Sequence, residues 1–163
     1  MMKIKYLAFF VAVAAGLFEC KDPVPKSAVV GKWQETKLRL YETDSTGTHL
    51  YDTTYLEPFT ASDYIQFSYN GTCVIGSDHY YYPNTAGYPN HPQAISPTAF
   101  EMNYMPVGQK FVLTQISILV NPGGFDVRDT VSNIDGNMLL LHTVTRSHVP
   151  GYTSYADGYY TRK

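Results

Sequence analysis

The sequence predicts an all-β protein, an eight- to nine-stranded antiparallel up-and-down β-barrel. Three observations lead there. Short β-branched and aromatic runs recur, separated by Gly, Asn, Asp and Pro. From residue 29 onward no apolar stripe of helical period is sustained over ten residues. Most connections are short, so neighbours in sequence should pair as neighbours in the sheet. A meander of that length loses both exposed edges only by closing on itself. An immunoglobulin-type β-sandwich is the alternative. It would expect long crossovers and a mid-chain tryptophan, whereas the single tryptophan, Trp33, stands at the start of the first run.

The elements follow in order. Residues 29–43 form the first run, and Asp44, Ser45, Thr46 and Gly47 turn it. Residues 49–59 return. Residues 63–69 alternate, with Ile65, Phe67 and Tyr69 on one face and Gln66 and Ser68 on the other. Asn70-Gly71 is a strong hairpin signal, with both central positions expected at φ > 0. Residues 72–75 and 78–82 continue the pairing, with Gly76 as an expected bulge. Residues 83–97 hold Pro83, Pro89, Pro92 and Pro97, which a central strand does not tolerate, so a long irregular loop is expected. Residues 99–104 and 110–120 flank a Pro106-Val107-Gly108 turn. Residues 127–133 and 138–146 flank Asp135-Gly136-Asn137, and residues 158–162 close the chain.

Composition bounds the function. The 163 residues suit one domain. Twelve basic against 14 acidic side chains give no electrostatic footprint for nucleic acid. Charged residues at 16% beside aromatics at 15% exclude a disordered chain. Two cysteines, Cys20 and Cys73, cannot build a disulfide framework or a four-thiolate zinc site. Cys73 lies in an apolar strand pattern and reads as a buried, inert thiol.

The first residues read as an address. Lys3 and Lys5 precede an apolar run over 6–18. As a helix that run would span about 20 Å, short of the roughly 30 Å hydrocarbon core, so it reads as a secretory signal. It ends on Leu17-Phe18-Glu19-Cys20, which resembles a bacterial lipoprotein signal with Leu17 three residues before the cysteine. Glu19 and Phe18 depart from the small residues usual there. The resemblance implies lipidation of Cys20 and membrane attachment through more than one acyl chain. Residues 1–19 are then the signal, 20–28 an extended tether and 29–163 the barrel domain. Lys21-Asp22 after the cysteine resembles a surface-export signal of Bacteroidota lipoproteins, so an outer-membrane, surface-exposed lipoprotein is expected. Without residues 1–19 the chain carries 10 basic and 13 acidic groups, and fourteen of the fifteen tyrosines remain.

Gly31-Lys32-Trp33 resembles the Gly-x-Trp element of lipocalins, in which the tryptophan plugs the closed end of the barrel. Tyr64-Ile65-Gln66-Phe67 with Asn70-Gly71-Thr72, and Ile134 to Leu141 around Gly136-Asn137, are similar to hairpins of the lipocalin-like domains of Bacteroidota envelope lipoproteins. The resemblance runs from about residue 29 to the end. It implies a lipocalin-like barrel closed by Gly31 and Trp33 that binds one small ligand. It departs from vertebrate-type lipocalins in lacking a long helix after the last strand and a large lid after the first.

No catalytic constellation stands out. His49, His79, His91, His142 and His148 show no zinc-enzyme spacing, and no nucleophile elbow, phosphate loop or dinucleotide fingerprint is present. Asp126 and Asp129 read as turn residues rather than a glycosidase pair. The expectation is a protein without catalysis, cofactor or metal. The tyrosines are the sharper feature. Tyr80, Tyr82, Tyr88 and Tyr104 bracket the long loop and are expected at a ligand or partner rim, because tyrosine pairs a flat apolar face with a polar tip. Asp-Ser/Thr steps at Ser45, Thr53 and Thr130 resemble O-glycosylation sites of Bacteroidota. Two functions are expected from this. One is a monomeric, lipid-anchored barrel binding a small apolar or amphipathic molecule. The other is an interaction module whose tyrosine-rich loop binds glycan or a partner protein over a filled barrel.

Overall fold

The structure, a computed structural model, describes residues 22–80, 93–115, 125–133, 136–147 and 151–163. A 3-10 turn (Lys26–Ala28) precedes nine strands: β1 (Gly31–Asp44), β2 (His49–Tyr55), β3 (Tyr64–Phe67), β4 (Thr72–Tyr80), β5 (Gln93–Val107), β6 (Lys110–Gln115), β7 (Phe125–Asn133), β8 (Met138–Ser147) and β9 (Tyr152–Arg162). All pairings are antiparallel, and each of β3 to β8 pairs with the next in sequence.

The ring closes through β1. One edge of this 14-residue strand pairs along its length with β9, from Trp33↔Arg162 to Asp44↔Tyr152. The other edge is shared. Its first residues pair with β3, from Gly31↔Phe67 to Gln34↔Tyr64, and its last with β2, from Leu38↔Tyr55 to Thr43↔His49. Eight strands, β1 and β3 to β9, therefore make a closed antiparallel barrel. β2 adds a ninth along the C-terminal half of β1. The fold is the antiparallel up-and-down barrel expected from the strand pattern.

Opposed residues in an antiparallel pair share a face, so the register assigns the interior. Trp33, Ile65, Ile75, Phe100 and Met102 follow one another around the ring, and Tyr104, Leu113, Asp129, Thr143 and Ala156 continue it. At one end the interior is solid. Trp33, Phe67, Phe111, Leu139, Val131 and Cys73 are fully buried there, with Val29 beneath them. Tyr104 stands edge-on to Phe67 (ring centres 5.0 Å) and to Phe111 (5.7 Å), a packing worth about 0.5–1.5 kcal/mol per aromatic pair beyond the area buried. This closed end carries the β3–β4, β5–β6 and β7–β8 connections, the start of β1 and the end of β9.

Several expectations are corrected. Asn70-Gly71 does turn β3 into β4, but among the described residues none other than glycine has positive φ, and only Gly71 (φ 90°) does so here. Asn70 instead accepts from the Thr72 N–H (3.0 Å) and hydroxyl (2.9 Å) through its side chain. Gly76 is no bulge. A Cβ there would lie 2.5 Å from the Tyr64 ring and 2.7 Å from the Ser62 carbonyl, so glycine lets both cross the strand. The irregularity falls between Ser77 and His79. It also explains why β5 begins at Gln93, inside the expected loop. Pro97 lies between the Ala94 and Thr98 pairings, where no ladder bond asks for its N–H. β9 extends over eleven residues rather than five, because Ser154 and Ala156 turn to an interior that is partly polar. The segment after residue 22 is not a free tether. Val24 packs on the core and donates its N–H to the Gly108 carbonyl (3.1 Å), and Gln109 holds the Asp22 carbonyl (2.9 Å).

Candidate functional site

The closed end is built around Trp33. Its Nε1 donates to the Val29 carbonyl at 2.7 Å, and the Arg162 guanidinium lies 4.6 Å from the ring centre while Nη2 donates to the Ala28 carbonyl at 3.2 Å. Gly31 (φ 127°) sets the chain's entry to β1 in a conformation that a side chain would strain. Trp33 and the 3-10 turn thus seal this end from below.

Above Trp33 the interior turns polar. Glu35 is buried, paired with Tyr160 on β9. Burial and then the neighbouring Asp63 charge push its carboxyl up to about 8, partly opposed by a hydrogen bond from Tyr160. Asp129 accepts from the Thr143 hydroxyl at 2.5 Å, and burial pushes its carboxyl up as well. Glu42 accepts from the Ser154 hydroxyl at 2.8 Å, with Tyr51 opposite on β2. Burial raises the Tyr51 phenol, and the Glu42 charge adds to it. Leu38, Leu40, Thr53, Tyr55 and Ala156 complete this part of the wall by register.

Toward the opposite end, two described residues of the interior face are exposed. Phe100 shares the face of Met102 and Ile75, and Val127 shares the face of Asp129 and Val131. Yet Phe100 is 62% exposed and Val127 52% exposed. Two apolar side chains of the interior face therefore meet solvent at the mouth. Every lysine and arginine on the described parts of β1, β7 and β8 falls on the outer face. Lys37 lies 3.6 Å from the centre of the Tyr159 ring, Arg39 pairs with Asp52, and Arg128 and Arg146 oppose Val144 and Thr153. The upper wall is thus apolar side chains, hydroxyls and carboxyls.

A second polar group lies where residues 56–63 leave the edge of β1. The fully buried Asp63 accepts from the Thr60 N–H (2.7 Å), the Ser77 hydroxyl (2.8 Å) and the Asp78 N–H (3.2 Å). Asp78 takes the Thr60 hydroxyl at 2.5 Å, and His79 Nδ1 lies 2.5 Å from Asp78 Oδ1 and 3.7 Å from Asp63 Oδ2. Burial opposes ionisation of Asp78, but the Thr60 hydroxyl and His79 outweigh it and hold the carboxyl below its ordinary range. These three side chains offer ligand atoms within 4.8 Å of one another. Their hydrogen bonds do a structural task, pinning the 56–63 excursion to β4. Sequence reading missed the group because its members come from a loop and a strand fifteen residues apart. Only the β3–β4 hairpin joins them.

The expected site residues fall in different places. Tyr104 is a correction: it is buried in the closed-end core, and its hydroxyl donates to the Ser68 carbonyl at 2.7 Å, so it belongs to no rim. Tyr80 ends β4 opposite Gln93. Tyr82, Tyr88, Cys20 and the segment 1–19 lie outside the described residues. Ser45 is exposed in the β1–β2 turn, and Thr130 is half-buried on the outer face beside His142. Thr53 faces the interior opposite Leu40, which does not fit a glycan acceptor. Cys73 is buried, and burial followed by the Asp129 charge pushes its thiol up to about 12.

No family model and no curated protein matches the chain. Among solved structures, a redesigned β-barrel matches at 10% identity and TM-score 0.34, over 85% of this chain and 94% of that one. An S-type phycobiliprotein lyase from Guillardia theta matches at 6% identity and TM-score 0.38, over 85% and 90%.

Proposed function

We propose that this protein is a non-catalytic, lipid-anchored envelope protein of lipocalin-like type that holds a small amphipathic molecule in the mouth of its barrel. The exposure of Phe100 and Val127 on the interior face carries the reading: one end of the barrel is sealed by side chains and the other presents apolar surface to solvent. Such a concave site with a few placed polar groups suits one small ligand. The polar groups also bear on its headgroup. Glu42, Asp129, Thr143 and Ser154 offer acceptors and hydroxyls, with no lysine or arginine beside them among the described residues. An amine or alcohol headgroup fits this wall, and a carboxylate headgroup would meet like charge.

Native mass spectrometry of the purified protein, with and without added hexadecylamine, hexadecanol and palmitate, tests the proposal. A bound amine or alcohol in one-to-one ratio is expected, weakened at least about tenfold by Val127→Arg, which sets a charge in the mouth. Tightest binding of palmitate would sink the headgroup assignment. No adduct with any of the three and no co-purifying molecule would sink the binding reading itself.

A further inference from the structure

The described charges divide between the two ends of the barrel. Around the closed end stand Lys26, Lys32, Lys110, Arg162 and Lys163, against one acid, Asp22. Around the other end stand Glu42, Asp44, Asp52, Asp78 and Asp157, against Arg39, Arg128 and Arg146. The near-neutral total hides this polarity. The closed end also exposes apolar side chains on its rim: Tyr69 in the β3–β4 turn is 75% exposed, and Met105 and Val107 on the outer face of β5 are 52% and 54% exposed.

The chain enters at the same end. Val24 is bonded to Gly108, and Asp22 is held by Gln109, both in the β5–β6 turn beside Val107. Cys20 lies two residues before Asp22, so its Cα is within about 7 Å of that point. A lipid on Cys20 would leave the barrel almost no slack above the bilayer.

We infer that the closed end of the barrel is a docking face for an anionic phospholipid bilayer, with the basic side chains on the headgroups and Tyr69, Met105 and Val107 at the interface. The orientation rests on the lipid-anchor reading, while the charge and the exposed rim give the face an attraction of its own. The acidic mouth then points away from the membrane into solvent, which keeps the open end accessible. Attraction of this kind fades over a Debye length, about 10 Å at 0.1 M salt and about 3 Å at 1 M.

The test uses the full chain, isolated from membranes and placed in vesicles of brominated phosphatidylcholine with or without phosphatidylglycerol. Met105→Trp reports the closed end and Thr46→Trp the open end, above the constant signal of the buried Trp33. Bromine should quench Met105→Trp and leave Thr46→Trp bright, and the quenching should be stronger when phosphatidylglycerol is present. Each of Lys32→Glu, Lys110→Glu and Lys163→Glu should lower the docked-to-undocked ratio by at least about fivefold, and high salt should also lower it. Near-ultraviolet circular dichroism checks that the variants remain folded. Equal quenching at both positions overturns the inference, as does Met105→Trp quenching that ignores phosphatidylglycerol and the charge reversals. Intact mass separates the anchor from the face. An unacylated Cys20 with phosphatidylglycerol-dependent quenching removes the anchor and keeps the docking face. An acylated Cys20 with Thr46→Trp quenched keeps the anchor and removes the face.

Discussion

The missing side chain of Gly158 makes the room in which the Glu35 carboxyl lies. A Cβ at 158 would stand 3.0 Å from Glu35 Oε1 and 2.8 Å from the Tyr160 ring. Both neighbours are side-chain ends, but both are buried, and Glu35 has the β1–β9 ladder behind it. Gly158→Ala should therefore destabilise the barrel by about 1–3 kcal/mol through overpacking. Urea denaturation measures it, and an unchanged midpoint would show that Glu35 has other space to occupy.

Glu35 makes stability depend on pH in a direction unusual for a carboxylate. In the unfolded chain it titrates near 4.5, and in the barrel near 8. Below 4.5 the group is protonated in both states, and its contribution is fully present. As pH rises from there toward 8, unfolding releases a proton, so stability falls and then levels off. A tenfold difference in proton affinity corresponds to about 1.4 kcal/mol, so the fall amounts to a few kcal/mol. Glu35→Gln should flatten this slope and leave the variant more stable than the parent above pH 8. Denaturation midpoints across the range check it, and a parallel pair of curves would refute it.

Asp63 holds the 56–63 excursion against β4. Asp63→Ala would strand the Thr60 and Asp78 N–H groups, and would leave the Ser77 hydroxyl only the His79 carbonyl. A loss of about 3–5 kcal/mol is expected, the range for breaking a buried charged network from one side. Amide exchange should accelerate first at residues 60–63 and 76–79. Acceleration spread evenly over the barrel would mean that Asp63 supports the whole ring rather than this corner.

Cys73 should be silent in the native protein. It is buried, and its thiol is pushed up to about 12, so almost none is thiolate at neutral pH. A maleimide should react with it only after denaturant is added. Rapid native labelling would show that the closed end opens.

Much of the architecture was legible from local chemistry. The turns at 44–47 and 70–71 and the run at 138–146 sit where Gly, Asn, Asp and β-branched residues place them. The expectation failed where both faces of a strand carry polar residues. The sequence pattern predicts β9 only over 158–162, because Thr153, Ser154 and Asp157 break the apolar alternation that marks a half-buried strand. In the barrel, Ser154 faces Glu42 inside and Asp157 meets His142 outside, with Nδ1–Oδ1 at 2.5 Å. The expectation fails at Pro97 in the same way, since only the bulge in its own strand frees it from donating a hydrogen bond.

Tyr104 shows the limit for the site. In sequence it borders the proline-rich stretch, yet its strand carries it far from that end, and its ring fills the core. The sequence alone determined the strand count, most turns, the burial of Cys73 and the excess of acid over base, because these depend on residue type and period. Tertiary structure alone decided which end of the barrel is packed solid. It decided that Glu35 and Asp63 are buried within reach of each other, and that the charges separate between the ends. The reason is register: it sets which residues face inward and at what height around a closed ring, and it follows from pairings among strands far apart in the chain.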